Sequence, residues 1–166
     1  MIREGFDVAI RIGGNDDNRL VRKVLAPHRY ITCASPEYLQ TYGEPQTIAA
    51  LAQHKLLAFR HRGSNVPWNF KTEQGKVTHS IQGRLVLSDT EAILDAALQG
   101  KGICQLGAFL VGEHIRHKQL QPVLVQYSQP GPPVCAFYPT KRYLLPKVRL
   151  FLQLFDEYWK GLAIWS

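Results

Sequence analysis

The chain has 166 residues, 45% of them hydrophobic and 20% charged, a composition typical of a globular protein and not of a disordered chain, a collagen or a coiled coil. Twenty Lys and Arg residues against thirteen Asp and Glu give a formal net charge of +7, which is compatible with nucleic acid, with anionic ligands or with simple solubility. No stretch approaches 18 apolar residues, and the first residues lack the apolar core of a secretory signal, so the sequence predicts neither a membrane span nor a leader.

The first half of the chain is predicted to be mostly strands. Residues 7–12 alternate polar and apolar side chains ahead of a polar loop that contains Gly13 and Gly14, a pattern typical of a strand and its turn. Ser35 and Pro36 are predicted to begin a two-turn helix that ends at Gly43, because serine caps free N–H groups and glycine adopts the left-handed conformation. Further strands are predicted at residues 20–26, 29–33, 55–60, 77–81 and 84–87.

The second half is predicted to alternate helices with strands. Ser88-Asp89-Thr90-Glu91 has the pattern of a capping box at the start of a helix that Gly100 closes. The last helix, residues 146–160, is expected to pack on the sheet of residues 7–12 through Phe151, Leu152, Phe155 and Trp159. Strands at 102–106, 122–127 and 133–138 and a helix at 108–116 complete the prediction. This alternation favours an α/β architecture.

Several segments, in this order and spacing, resemble the effector-binding domain of LysR-type transcriptional regulators. The segments that carry the resemblance are Gly5 to Gly13, Leu25-Ala26-Pro27, Cys33 to Leu39, Leu51 to His54, Trp68-Asn69-Phe70, Ala96 to Ile103 and Lys147 to Phe151. Together they cover nearly the whole chain, although none is a catalytic motif. The resemblance implies a type II periplasmic-binding-protein-like fold of two α/β subdomains, with a small-molecule effector in the cleft between them.

The same resemblance implies a division of this chain. Residues 1–32 and 134–166 are expected to be a remnant of regulatory subdomain I, and residues 33–133 to be subdomain II. Family members have a helix-turn-helix DNA-binding domain and a first β-α-β unit ahead of these segments, and this chain is expected to begin after both. The unpaired strand edge that such a start leaves predicts a homo-oligomer, because free edges invite pairing with a second chain.

In function, the resemblance implies a cytoplasmic, bacterial regulator that senses an organic acid or an amino acid and contacts DNA only through the absent domain. The alternative is a solute-binding protein of a transporter with the same fold. An enzyme is the third class, and the sequence offers it no constellation of catalytic groups and no cofactor motif. The pair His114 and His117 lacks the further ligands of a zinc site, so we expect no metal there.

Eight residues are candidates for effector contact. Arg29 and Thr32 lie on a strand that, in the resembled family, crosses between subdomains and directs polar groups into the cleft. Ser88 and Thr90 flank the start of a helix whose free N–H groups favour an anion, although a purely structural cap with Asp89 is the alternative. The other four lie at the ends of predicted strands: Gly13, Gly14, Gln105 and Gly107. Gly107 stands where the family usually has proline.

Two further expectations concern reactivity and affinity. The three cysteines, Cys33, Cys104 and Cys135, are odd in number and far apart, so no disulfide framework is expected, and Cys33 is predicted to be a buried small apolar residue. The resemblance assigns part of the effector contacts to a loop and helix that precede this chain. We therefore expect the chain to bind an effector weakly, because half of a site must still overcome the entropy of association.

Overall fold

A computed structural model of the protein describes residues 6–14, 19–139 and 145–161, with side chains described as far as residue 157. The strands are β1 (Ala9–Ile12), β2 (Val21–Ala26), β3 (Tyr30–Ala34), β4 (Leu57–His61), β5 (Ser64–Asn65), β6 (Trp68–Thr72), β7 (Gly75–His79), β8 (Leu85–Leu87), β9 (Cys104–Gly107), β10 (Gln121–Pro122) and β11 (Val134–Tyr138). The helices are α1 (Pro36–Tyr42), α2 (Thr90–Leu98), α3 (Ala108–Arg116) and α4 (Pro146–Gly161), with short 3₁₀ turns at Ala49–Gln53 and Val125–Tyr127. No helix within these described ranges is long and apolar enough to cross a bilayer.

The chain divides into two compact units, residues 1–29 with 130–166 and residues 30–129. In the first unit, β11 lies between β1 and β2 and is antiparallel to both. Ala9 pairs with Phe137 and Ile12 with Val134, which confirms that the late strand returns to residues 7–12. Because β11 is the central strand, all five of its residues are buried.

Helix α4 covers one face of this first sheet. Val148 and Leu152, one helical turn apart, pack against Ala136 and Tyr138 of β11. The expectation that Phe151 belongs to this contact was wrong: Phe151 is 41% exposed, and Phe155 beside it is half-buried. Val148 and Leu152 form the face of the helix that packs on the sheet. Phe151 and Phe155, three positions after them, therefore lie at the side of that face. The expected contact of Trp159 falls outside the described side chains.

In the second unit, one backbone pairing joins two groups of strands. Strand β4 runs parallel to β8, and β3 lies between β9 and β10 and is antiparallel to both. Leu56 and Ile103 form a parallel bridge between the groups, in which Leu57 N–H donates to the Ile103 carbonyl at 2.9 Å. Gly102 permits this approach, because a Cβ atom there would lie 2.3 Å from the Lys55 carbonyl oxygen.

Local sequence signals explain both ends of α1. The Ser35 hydroxyl accepts a hydrogen bond from Tyr38 N–H at 3.2 Å, Pro36 is the first residue of α1, and Gly43 follows the helix with φ of 79°. These features confirm the predicted first helix, and α3 has the predicted bounds.

The strand predicted at residues 122–127 was wrong. Strand β10 has only two residues, and a 3₁₀ turn follows it at Val125–Tyr127. Leu124, with φ of 56°, has the left-handed conformation, which turns the backbone out of the sheet direction. Two smaller differences concern the hairpin. Strand β7 ends at His79 instead of residue 81, and strand β6 was not predicted.

Two of the three cysteines meet in the core of the second unit. Cys33 and Cys104 are directly opposite each other on β3 and β9, with their Sγ atoms 3.7 Å apart, and both are free, fully buried thiols. The burial predicted for Cys33 is therefore confirmed. The adjacent Cys33 thiol, together with complete burial, raises the pKa of Cys104 well above its ordinary value.

We expect the Cys104 thiol to resist alkylation while the chain is folded, because the thiolate is the nucleophile and its raised pKa keeps this thiol protonated at pH 8. Each unit of raised pKa lowers the thiolate fraction about tenfold. A short maleimide pulse with peptide mass spectrometry measures the labelling, and the same pulse in urea is the control. Equal labelling rates in both conditions would contradict this prediction.

Leu152→Ala should lower the free energy of unfolding of the first unit by about 2–5 kcal/mol, because Leu152 is 3% exposed and its removal leaves a cavity under α4. The matched control is Leu154→Ala on the same helix, where the side chain is 56% exposed and the change should stay within about 0.5 kcal/mol. Urea denaturation measures both. Similar losses for the two variants would mean that α4 does not pack through residue 152.

Candidate functional site

Thr32 and Gln105 are candidate residues that the structure brings into direct contact with each other. They are opposite each other in the register of β3 and β9, and Gln105 Nε2 donates a hydrogen bond to Thr32 Oγ1 at 3.1 Å. Thr32 is only 6% exposed, and Gln105 is half-buried. A hydroxyl and a carboxamide therefore lie at the boundary between the apolar core and the surface of the second unit.

Two residues of the β6–β7 hairpin extend this polar pair. Asn69 N–H donates to Gln105 Oε1 at 3.2 Å, and Gln105 Nε2 also donates to the Asn69 carbonyl at 3.4 Å. The Thr78 hydroxyl, across the hairpin from Asn69, donates to Asn69 Oδ1 at 3.1 Å. We call the four residues Thr32, Gln105, Asn69 and Thr78 the polar strip.

Sequence reasoning missed Asn69 and Thr78 as site residues. Trp68 and Phe70 are buried, whereas Asn69 between them is exposed. That alternation of apolar and polar residues predicts a strand with Asn69 on its outer face, and it is the local signal that was available. The contact with Gln105, 36 positions further along, has no local signal.

The start of α2 differs from the predicted capping box. Asp89 is the N-cap, and its Oδ1 accepts a hydrogen bond from Glu91 N–H at 3.1 Å. Asp89 has extended backbone angles and the helix begins at Thr90, so Ser88 lies one residue ahead of the cap. The alternative of a structural cap supplied by Asp89 is thus the observed one. Its carboxylate compensates the positive end of the helix dipole.

Ser88 and Thr90 follow the carboxyl end of β8, and Gln105 lies two residues before the carboxyl end of β9. Strands β8 and β9 are both parallel to β4, and Ser88 directly follows the carboxyl end of β8. The carboxyl ends of parallel strands meet at one edge, where ligands of open α/β sheets bind. With β4 between them, β8 and β9 are about 10 Å apart at the spacing of neighbouring strands. Among the described residues no hydrogen bond joins Ser88 or Thr90 to the polar strip.

Gly107 ends β9 at this edge and is the N-cap of α3. It is buried, lies opposite Tyr30 in the register, and supplies no side-chain hydrogen bond to the helix. Burial raises the pKa of Tyr30, so its phenol is protonated at neutral pH. The edge therefore contains two helix starts, one capped by a carboxylate and one capped by glycine.

The other three candidates belong to the first unit. Gly13 has φ of 88°, donates its N–H to the Pro133 carbonyl at 2.9 Å and lies against Pro132, which identifies it as a turn residue. Gly14 is exposed, and a Cβ atom there would have open space. Arg29 is half-buried and forms an antiparallel bridge with Pro130.

His114 lies in the last turn of α3, and His117 is the residue that follows this helix. His114 Nδ1 is 2.8 Å from Gln119 Oε1, so one of its ring nitrogens is engaged by a neighbouring side chain. Within the described ranges, no group of three or more His, Cys, Asp or Glu residues is placed to hold a metal ion.

Comparison with known proteins identifies the family. A model of the LysR substrate binding domain matches residues 1–160. The HTH-type transcriptional regulator CrgA of Neisseria meningitidis serogroup C is 34% identical over 158 residues, which cover 95% of this chain and 52% of that protein. An uncharacterized HTH-type transcriptional regulator of Haemophilus influenzae is 32% identical over 148 residues, which cover 89% of this chain and 51% of that one. This chain thus spans about half the length of these relatives.

Solved structures agree with this assignment. The regulatory domain of CrgA, a LysR-type regulator, matches with a TM-score of 0.84 at 32% identity, over 95% of this chain and 77% of that one. The full-length virulence activator AphB of Vibrio cholerae matches with a TM-score of 0.80 at 28% identity, over 93% of this chain and 53% of that one. The type II periplasmic-binding-protein-like fold expected from the resemblance is confirmed, and the relatives favour a regulator over a transporter component. The chain belongs to the family of LysR substrate-binding domains.

Proposed function

We propose that this chain is the effector-binding part of a cytoplasmic LysR-type transcription regulator and that it senses a small molecule at the polar strip. The observation that carries the proposal is the buried Thr32 hydroxyl, bonded to Gln105 two residues before the carboxyl end of β9. A buried hydroxyl beside a half-buried amide offers directional hydrogen bonds together with shielding from water, the combination typical of small-molecule sites. Ser88, Thr90 and Gly107 are the further contacts at this edge.

The proposed division follows the family. Residues 1–32 and 134–166 are proposed as a part of regulatory subdomain I that includes Gly13, Gly14 and Arg29, and residues 33–133 as subdomain II. The compact units divide three and four residues earlier, at residues 29 and 129, and so place Thr32 with the second unit. DNA binding belongs to a separate helix-turn-helix domain, in keeping with the regulators that this chain resembles. Effector binding changes transcription only if the ligand prefers one conformation of the regulator over another.

The negative charge of Asp89 at the start of α2 favours some classes of effector over others. The Asp89 carboxylate caps this helix, so a simple carboxylate bound nearby meets a like charge. An amino acid carries an ammonium group that offsets this repulsion. Among organic acids and amino acids, the proposal therefore favours amino acids.

Titration calorimetry with glycine and L-glutamate against acetate and succinate tests the proposal. We expect weak binding, with the amino acids ahead of the acids. Thr32→Val keeps the side-chain shape and removes the hydroxyl, so it should weaken binding about tenfold, the effect of one lost hydrogen bond. Thr41→Val, on the exposed side of α1, is the matched control and should leave binding unchanged. Binding that is equal in both variants would exclude the polar strip as the site.

We also propose that the chain is a homo-oligomer through its first unit. Strand β1 is an edge strand with exposed Ile10 and Ile12, and Val24 of β2 is more than half exposed. An unpaired edge with apolar side chains favours pairing with a second chain.

Light scattering at increasing concentration should give a dimer or a larger assembly, and Ile12→Lys on the edge strand should shift the mass towards the monomer, because a charge there opposes edge pairing. Thr41→Val on α1 of the other unit serves as the control. A monomeric mass at every concentration would refute this assembly.

A further inference from the structure

The β6–β7 hairpin is held on its two faces by different forces. On the inner face, Trp68 and Phe70 are buried in the main core cluster of the second unit, with Tyr38 and Leu51 among its members. On the outer face, Asn69 and Thr78 form a cross-strand pair that is open to solvent. An isolated two-stranded hairpin has marginal stability, so its position depends on contacts with the rest of the unit.

Gln105 supplies the polar contact with this hairpin. Its Oε1 accepts from Asn69 N–H at 3.2 Å while its Nε2 donates to the Asn69 carbonyl at 3.4 Å. A carboxamide that bonds both backbone groups of one residue imitates the pairing of a neighbouring strand. The Gln105 side chain thus extends the hydrogen bonding of β9 towards β6. Within the described residues, the backbones of β9 and β6 are not paired with each other.

A further hydrogen bond engages the remaining amide hydrogen of Gln105. Its second Nε2 hydrogen is donated to Thr32 Oγ1 at 3.1 Å, so both amide hydrogens are engaged within the protein. The reversed amide orientation would place Nε2 against Asn69 N–H, two donors facing each other, and is therefore disfavoured. Thr32 accepts this bond and keeps its own hydroxyl hydrogen for another acceptor.

We infer that Gln105 is a positioning residue of the effector site: it fixes the backbone of Asn69 beside Thr32, and the ligand contacts fall to Thr32 and Asn69. This inference changes the role expected for Gln105 from direct contact to support. Its relation to effector binding rests on the proposed function, whereas the positioning itself is a property of the chain without ligand. The two can therefore fail separately.

The amide hydrogen of Asn69 reports on this contact directly. Asn69 N–H is directed at Gln105 and not at Thr78, so Asn69 and Thr78 are a non-hydrogen-bonded pair of the hairpin ladder. Because such pairs alternate with hydrogen-bonded ones, Phe70 is bonded to Val77 within the hairpin. Exchange at Asn69 measures the Gln105 contact, and exchange at Phe70 measures the hairpin itself.

Amide hydrogen exchange followed by NMR on the ligand-free chain tests the inference. Gln105→Leu removes both partners of the Asn69 backbone, and we expect its amide to exchange at least about tenfold faster while Phe70 keeps its wild-type rate. Gln105→Glu retains an oxygen that accepts from Asn69 N–H, so in this variant the Asn69 amide should keep its protection from exchange. Gln40→Leu, an exposed site on α1, is the matched control and should change neither rate.

Two results would overturn the inference. Wild-type exchange at Asn69 in Gln105→Leu would show that Gln105 does not hold this residue. Equal acceleration at Asn69 and Phe70 would show that the hairpin as a whole has lost its structure, and would assign Gln105 a general packing role instead of a positioning one. Neither result bears on whether glycine or L-glutamate binds the wild-type chain, which is the separate test of the proposed function.

Discussion

The pairing of Leu56 with Ile103 is the contact on which the second unit depends. It joins the parallel pair β4–β8 to the antiparallel group of β3, β9 and β10, so that Ser88, Thr90 and Gly107 follow or end parallel strands of the second unit. The junction needs the absence of a side chain at Gly102, since even a methyl group would collide with the Lys55 carbonyl. A backbone constraint next to Gln105 thus determines how β8 and β9 lie relative to each other in the second unit.

The same arrangement separates structural polar groups from groups available to a ligand. Asp89 is occupied as a helix cap, Gln105 is occupied by Asn69 and Thr32, and Gly13 is occupied as a turn. Each of these residues has the chemistry of a binding group, and each already has a bonding partner within its own unit. The groups that remain available to a ligand are a smaller set of hydroxyl and amide hydrogens. This set is consistent with the small polar molecule that we propose as the effector.

Features determined by neighbouring residues could be predicted from the sequence, and features determined by distant residues could not. The cap at Ser35 and the left-handed Gly43 depend on a few adjacent positions, and the helix they delimit was predicted correctly. The left-handed Leu124 has no such signal, because a leucine there gives no local indication of a positive φ. The meeting of Cys33 with Cys104 and of Gln105 with Asn69 depends on strand register across many residues, which periodicity alone does not specify.

The two helices that begin at the carboxyl edge, α2 and α3, differ in the charge at their N-termini. The N-cap of α2 is Asp89, whose carboxylate compensates the positive end of that helix, whereas the N-cap of α3 is Gly107, which supplies no side-chain hydrogen bond. The positive ends of the two helices are therefore compensated to different extents by their own N-cap residues. In the proposed site, this difference favours one orientation of a dipolar effector over the reverse one, so the two ends of an effector of uniform shape are not equivalent there.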